Sequence, residues 1–288
     1  MTDRFIVGCG YLGRRVAAKW ITEGHRVFAL TRSEQNAYLL KQMGIQPLIG
    51  DIMSPETLPV FPDVEQVLYA VGFDRQSGYN IGQVYVAGLK NVVTNFSGES
   101  LKQLIYISST GVYGQSDGSW VTEQSETNPA RPGGKACLEA ENFLLSGKFN
   151  KQTTVLRFAG IYGPNRVPRL EQIQAGEPLA VPQDGWLNLI HVADAVTIVD
   201  AMLKQTPRKD CYLVSDGNPV IRRDYLSEIA TNLRAPSVTF APTDPDSAIA
   251  KRAGGTKRIS NQLLTSEFAI AWQYPTYRQG LINILQNL

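Results

Sequence analysis

The run Phe5-Ile6-Val7-Gly8-Cys9-Gly10-Tyr11-Leu12-Gly13 constrains this chain more than any other stretch. A short apolar segment breaks into three glycines spaced G-x-G-x-x-G. It then passes into Arg14-Arg15-Val16-Ala17-Ala18-Lys19-Trp20-Ile21, a good helix pattern. Strand, glycine turn and helix in that order are the context that gives the spacing meaning. Gly8 permits the tight turn, Gly10 lets backbone approach a pyrophosphate, and Gly13 lets helix and strand pack closely. The first N–H groups of the helix, at Tyr11, Leu12 and Gly13, would face phosphate oxygens, with the helix dipole favouring their charge. Glycines of this spacing also occur at ordinary strand–helix turns. A second strand directly afterwards favours the dinucleotide reading.

Composition enters where it excludes alternatives. The chain has 288 residues, 43% hydrophobic and 19% charged, with a net charge of +2. This suits a folded enzyme-sized protein rather than a disordered one, and no segment resembles a membrane span. A nearly balanced charge gives no electrostatic case for nucleic acid or an anionic membrane surface. Cys9, Cys137 and Cys211 are an odd number without C-x-x-C spacing, and the only histidines are His25 and His191. That argues against a metal cage and for a reducing compartment. A cytoplasmic protein without a signal peptide is the expectation.

Taken in order, Arg26-Val27-Phe28-Ala29-Leu30 reads as the second strand and ends in Thr31-Arg32-Ser33. NAD-binding proteins usually place Asp or Glu about 20 residues beyond the glycines to hold the ribose 2′-OH. Here no carboxylate would repel a 2′-phosphate, and Arg32 could form charge-assisted bonds to it. NADP is thus expected over NAD, although Arg32 could equally be a solvated residue at a helix start. Gln46 to Ile49 is a third strand, ending at Gly50-Asp51-Ile52, where Asp51 could cap the following turn or bond the adenine amino group. Val64 to Val71 is a fourth, with Ala70-Val71-Gly72 small enough for a cofactor to lie against. A helix from Ile81 to Phe96 follows, then a strand at Gln103 to Ile107 running into Ser108-Ser109-Thr110-Gly111-Val112-Tyr113-Gly114. The alternation argues a parallel sheet covered on both faces.

The glycine fingerprint together with Ser-Ser-Thr-Gly-Val-Tyr-Gly resembles the extended short-chain dehydrogenase/reductases, the nucleotide-sugar epimerase/dehydratase group. Four later segments are similar too: Val155 to Pro164, Asn188 to Ala195, Tyr212 to Gly217 and Tyr274 to Leu281. The resemblance implies an α/β, NAD(P)-binding Rossmann fold, a doubly wound parallel sheet with a smaller C-terminal substrate domain. On this reading residues 1–160 form the dinucleotide-binding domain, 161–288 the substrate region, and 190–204 pack back onto the first. It also implies a homodimer through the helices at Ile81–Phe96 and Lys135–Ser146, and Ser109 as the group that polarises the substrate oxygen.

The resemblance also requires Tyr-x-x-x-Lys at the next helix start. Gly133 stands where Tyr belongs and Cys137 where Lys belongs, with Lys135 out of register. Two positions on a helix are about 200° apart, so Lys135 should point away from the expected place. The chain resembles an atypical branch of the extended group that also lacks the pair. The candidates for proton exchange are Tyr113, Tyr162, Lys135 and Cys137, with Tyr162 ranked first and Lys135 as the cation that would lower its pKa. Arg166, Arg169, Lys251, Arg252, Lys257 and Arg258 could line a cleft for an anionic substrate or form solvated loops. His191 is expected to cap a helix, and 115–134 to form a long loop. The expected function is an NAD(P)-dependent oxidoreductase or epimerase-like enzyme on a small polar, nucleotide-linked substrate. The alternative is a catalytically silent NADP-binding redox sensor or scaffold.

Overall fold

A computed structural model describes residues 2–205, 207, 209–244, 246–247 and 255–287. The chain divides into two compact units, one made of residues 1–112, 129–157 and 198–212, the other of 113–128, 158–197 and 213–288. The boundary is finer than a cut at 160. Residues 113–128 belong to the second unit, and the helix within 190–204 is shared out at residue 198.

The first unit is built on strand–helix alternation. β1 (Asp3–Val7), α1 (Tyr11–Thr22), β2 (Arg26–Thr31), α2 (Glu34–Gln42), β3 (Gln46–Ile49) and β4 (Gln66–Tyr69) follow in order. A π-turn at Gln83–Ala87 leads into α3 (Gly88–Asn95), then β5 (Gln103–Ser109). The sequence expected one helix over Ile81–Phe96. The extra residue per turn in the π segment was not legible from its apolar spacing. After the short β6 (Trp120–Val121), which lies outside the main sheet, come α4 (Pro132–Ser146) and β7 (Thr153–Phe158). With β11 (Cys211–Val214), the seven-stranded sheet has the order β11-β7-β5-β4-β1-β2-β3. The pairs β1–β2, β1–β4, β2–β3 and β4–β5 are parallel.

Burial explains why these runs are strands. β7 is buried at all six positions and β1 at its last four, the continuous apolar pattern of a sheet covered on both faces. Phe5, Phe61 and Phe96 cluster on one face, with ring centroids 5.2–6.5 Å apart. α1 buries Leu12, Gly13, Val16, Ala17 and Trp20, a helical spacing that lays one stripe on the sheet. The strand order reverses between β2 and β4 on either side of β1, so the crevice for a ligand lies at the carboxyl end of β1.

The second unit has short strand pairs and a separate core. β8 (Gly160–Tyr162) pairs parallel with β10 (Leu189–His191), and β9 (Trp186–Leu187) pairs antiparallel with β12 (Val220–Ile221). β6 pairs parallel with β13 (Arg258–Ile259), so the stretch expected to be a long loop contains a strand. The helices here are α5 (Leu170–Gln174), the first part of α6 (Val192–Lys204), α7 (Arg222–Leu233), α8 (Gln262–Glu267) and α9 (Tyr277–Gln286). Tyr162, Ile173, Leu179, Tyr225, Ile229, Tyr277 and Leu281 belong to its apolar core.

Candidate functional site

The β1–α1 corner is shaped by two close approaches and one opening. Gly8 has φ +93°, and a Cβ there would lie 2.5 Å from the Ala70 carbonyl carbon and the Val71 nitrogen. A Cβ on Gly13 would lie 2.8 Å from the Gly8 oxygen. Glycine is required at both, because backbone occupies the space a side chain would take. A Cβ on Gly10 meets nothing within 4 Å. α1 also begins without a side-chain cap and without an acid in its first turn. An uncapped helix start with a positive end beside open space is the local chemistry of a phosphate cradle. Tyr11 and Leu12 would contribute through these backbone groups. The Leu12 side chain is buried, and the Arg15 guanidinium lies 4.0 Å over the Tyr11 ring.

The wall opposite is the end of β4. Ala70 N–H donates to the Val7 oxygen at 2.7 Å, while Ala70 and Val71 are half-buried and Gly72 exposed. Asp51 accepts the Met53 N–H at 2.9 Å, and its own N–H donates to the Thr57 hydroxyl at 2.9 Å. Of its two expected roles, the turn cap is therefore the one with partners in place. Ile52 is mostly committed to packing, since a Cβ on Gly88 would come within 2.7 Å of its side chain.

At the end of β2, Thr31 is buried and its hydroxyl accepts the Asn36 amide at 2.6 Å. Ser33 caps α2 by accepting the Asn36 N–H at 3.2 Å, and the Arg14 guanidinium donates to the Asn36 side-chain oxygen. Arg32 is half-exposed and pairs with Asp74 at 3.1 Å. Asp74 is held below the usual carboxylate range by the Gln76 N–H and then by Arg32. Arg14, Asn36 and Asp74 were missed in the sequence. The signal for Asp74 was the polar turn Phe73-Asp74-Arg75-Gln76-Ser77-Gly78 placed directly beyond β4.

A second corner joins β5 to α4. The Ser109 hydroxyl accepts the Gly111 N–H at 3.0 Å, which leaves its own hydrogen to donate. α4 begins so close that a Cβ on Gly134 would lie 2.1 Å from the Gly111 oxygen. On the buried face of α4, Glu141 accepts hydrogen bonds from the Arg157 guanidinium, the shortest at 2.6 Å, and the Ser108 hydroxyl donates to the same carboxylate. Cys137 lies one turn before Glu141 and is buried. Burial, with the Glu141 charge adding, pushes its thiol up to about 11 against a Ser108 hydrogen bond. Lys135 is exposed on the other side of the helix. Together the two positions do not rebuild the missing proton-exchanging pair.

In the second unit, Tyr162 is 2% exposed and its hydroxyl has no hydrogen-bond partner among the described residues. A Cβ on Gly280 would come within 2.2 Å of that hydroxyl. Burial, then the nearby Asp216, raises its pKa well above the ordinary phenol. This placement argues against the first-ranked proton donor. The ring fills the gap left by Gly280 and belongs to the core. Tyr113 is also buried, and Lys257 donates to its carbonyl oxygen at 2.8 Å. His191 accepts the Ala193 N–H at 3.2 Å at the start of α6, the expected helix cap. Asp194 accepts the Gln273 and Tyr274 N–H groups. Burial pushes the Asp216 carboxyl up to about 7, with Asp194 adding and the Asn218 N–H opposing.

Three of the basic residues expected around an anionic cleft, Arg258, Lys257 and Arg169, have structural partners. Arg258 stacks against Trp120 and Trp186 and donates to the Gly118 oxygen, while Lys257 is buried. Arg169 donates to the Gln172 side chain. Lys251 and Arg252 lie outside the described residues. Among the described residues, no group of His, Cys, Asp and Glu could hold a metal ion, and no helix is long and apolar enough to cross a membrane.

The corner at Gly8–Gly13 has room and a helix end of the sign that a dinucleotide phosphate needs. The chain is 24% identical over 277 residues to protein YeeZ of Escherichia coli, covering 94% of this chain and 95% of that one. It is 25% identical over 234 residues to a 4-hydroxy-2-methyl-3-oxo-4-farnesyl-3,4-dihydroquinoline-1-oxide ketoreductase of Stigmatella aurantiaca, covering 76% and 70%. A solved structure from Methylobacillus flagellatus, assigned to the NAD-dependent epimerase/dehydratases, superposes with a TM-score of 0.78 at 29% identity over 99% of this chain and 98% of the other. The model of one family matches residues 5–214. The chain belongs to the NAD dependent epimerase/dehydratase family.

Proposed function

We propose that the protein is an NADP(H)-dependent oxidoreductase or epimerase-like enzyme acting on a small, polar, nucleotide-linked substrate. Family membership supports an NAD(P)-dependent enzyme. The single observation that carries the cofactor assignment is the open space around Gly10 in front of the uncapped α1. Gly8, Gly10 and Gly13 would hold the pyrophosphate, Ala70, Val71 and Gly72 would form the wall beside it, and Arg32 would bind the 2′-phosphate. The cofactor supplies hydride chemistry when bound. Ser109 would donate to the reacting oxygen, a contribution of roughly 10²-fold for such a donor.

One observation favours a second reading, a dinucleotide-binding redox sensor or scaffold without turnover. Gly133 has no side chain, the Cys137 thiol is buried with its pKa raised, and Lys135 faces solvent, so α4 offers no proton-exchanging pair. Calorimetric titration with NADPH and NADH separates the cofactor question from catalysis. The unmodified protein should bind NADPH more tightly, and Gly10→Val should abolish binding while the protein stays folded. Unchanged affinity in folded Gly10→Val would overturn the site. Consumption of NADPH with a panel of nucleotide-linked ketones supports the enzyme. Tight binding without turnover across the panel supports the sensor.

A further inference from the structure

The pair Arg32–Asp74 occupies an unusual place in the topology. Arg32 directly follows β2, and Asp74 lies in the turn after β4, while β1 runs between those two strands. Val7, the last residue of β1, is in register with Leu30 on one side and Tyr69 on the other. The ion pair therefore spans the carboxyl end of β1, the strand that delivers Gly8 and Gly10.

Its two ends are held very differently. Asp74 sits in a self-bonded turn: its Oδ1 accepts the Gln76 N–H at 2.9 Å, and its carbonyl accepts the Ser77 hydroxyl at 2.7 Å. The preceding Phe73 N–H donates to the Tyr85 hydroxyl at 3.2 Å. The second carboxylate oxygen, Oδ2, is aimed at Arg32. Arg32 is a long, half-exposed side chain whose neighbours Thr31 and Ser33 are anchored through Asn36. The carboxylate is thus the fixed partner and the guanidinium the movable one.

We infer that Asp74 is a cofactor-selectivity residue, an internal competitor that a 2′-phosphate must displace from Arg32. This rests on the dinucleotide reading of the β1–α1 corner. A phosphomonoester carries about −1.5 to −2 charge at neutral pH and offers three acceptor oxygens, against one charge and one committed oxygen on Asp74. The exchange favours phosphate, yet Asp74 stays fixed beside the displaced cation and repels the incoming charge. A ribose 2′-OH has no charge to draw Arg32 away and meets neither effect. Asp74 thereby holds the preference for NADPH below what Arg32 alone would give.

The test is calorimetric titration of the full chain with NADPH and NADH in the unmodified protein, Asp74→Asn, Arg32→Ala and the double variant. Asparagine keeps the acceptor for the Gln76 N–H, and the site is exposed, so folding is preserved. An exposed pair is worth at most about fivefold in affinity, so Asp74→Asn should tighten NADPH by about threefold to fivefold and change NADH by less than about twofold. The gain should shrink in the Arg32→Ala background. Equal changes for both cofactors would show a structural role and overturn the proposal. A selective loss of NADH affinity would overturn it too, by making Asp74 a ribose acceptor. Should the unmodified protein bind neither cofactor, the dinucleotide reading itself falls. Should it bind both with the ratio unmoved by Asp74→Asn, only this inference falls.

Discussion

The β1–α1 corner and the β5–α4 corner use the same backbone device and finish it in opposite ways. At both, backbone comes so close to a strand end that glycine is obligatory, at Gly8 and Gly13 in one and, on a helix that β6 separates from β5, at Gly134 in the other. The first corner then stays open, with nothing within 4 Å of a Cβ on Gly10. The second is closed from below by Glu141, which collects Arg157 and Ser108 inside the core. A glycine turn by itself therefore marks close packing. The open space at Gly10, and not the missing cap that α4 shares, is what distinguishes the first corner.

Cutting the closed corner should have the greatest consequence. Glu141→Ala leaves the Arg157 guanidinium buried without its partner, a loss of about 3–5 kcal/mol in urea unfolding. If the cost is below about 1 kcal/mol, the corner is not held by that pair and its contrast with the open one fails. Next comes the close approach itself. Gly134→Ala drives a methyl into the Gly111 oxygen and should cost roughly 2–4 kcal/mol through a shift of α4. Gly10→Val, the open-corner counterpart, should cost about 1 kcal/mol as a cap substitution while removing cofactor. Similar thermal shifts for the two variants would erase the distinction between a filled and an unfilled corner.

A subtler change sharpens the comparison through the two buried thiols. Burial pushes Cys9 up to about 12 against the opposing charge of Arg14, and Cys137 up to about 11 with the Glu141 charge adding to burial. Thiolate is the reactive form, so alkylation of both should remain slow at pH 8 and accelerate about tenfold per pH unit up to those values. The partly exposed Cys211 should react first. Glu141→Gln should speed Cys137 and leave Cys9 unchanged. Equal acceleration of both thiols would show general loosening rather than loss of one neighbouring charge.

How much of this was legible follows from how local each cause is. The β1–α1 corner could be read because its glycines, strand and helix are contiguous, although the backbone that crowds Gly8 comes from Ala70 and Val71. The missing Tyr/Lys pair was equally plain, since Lys135 and Cys137 fall on opposite sides of one helix whatever surrounds it. Asp74 was not legible, because its partner Arg32 lies 42 residues away and meets it only across the strand between them. Tyr162 was misplaced for a related reason. Its turn motif pointed toward a reactive site, but the side chain fills the space left by Gly280, a residue more than a hundred positions later.

Short-range properties dictate the alternation of strands and helices, the glycine turn after β1 and the absence of an ordinary proton relay on α4. Periodicity, glycine's missing Cβ and helix geometry are enough for all three, and each is written in neighbouring residues. Packing alone settles which charged groups are committed to the fold. Burial places Arg157 against Glu141, and Lys257, which could have lined a cleft or a solvated loop, on the Tyr113 carbonyl. A charge taken out of water must find its partner among groups brought near by packing, and sequence distance carries no information about that meeting.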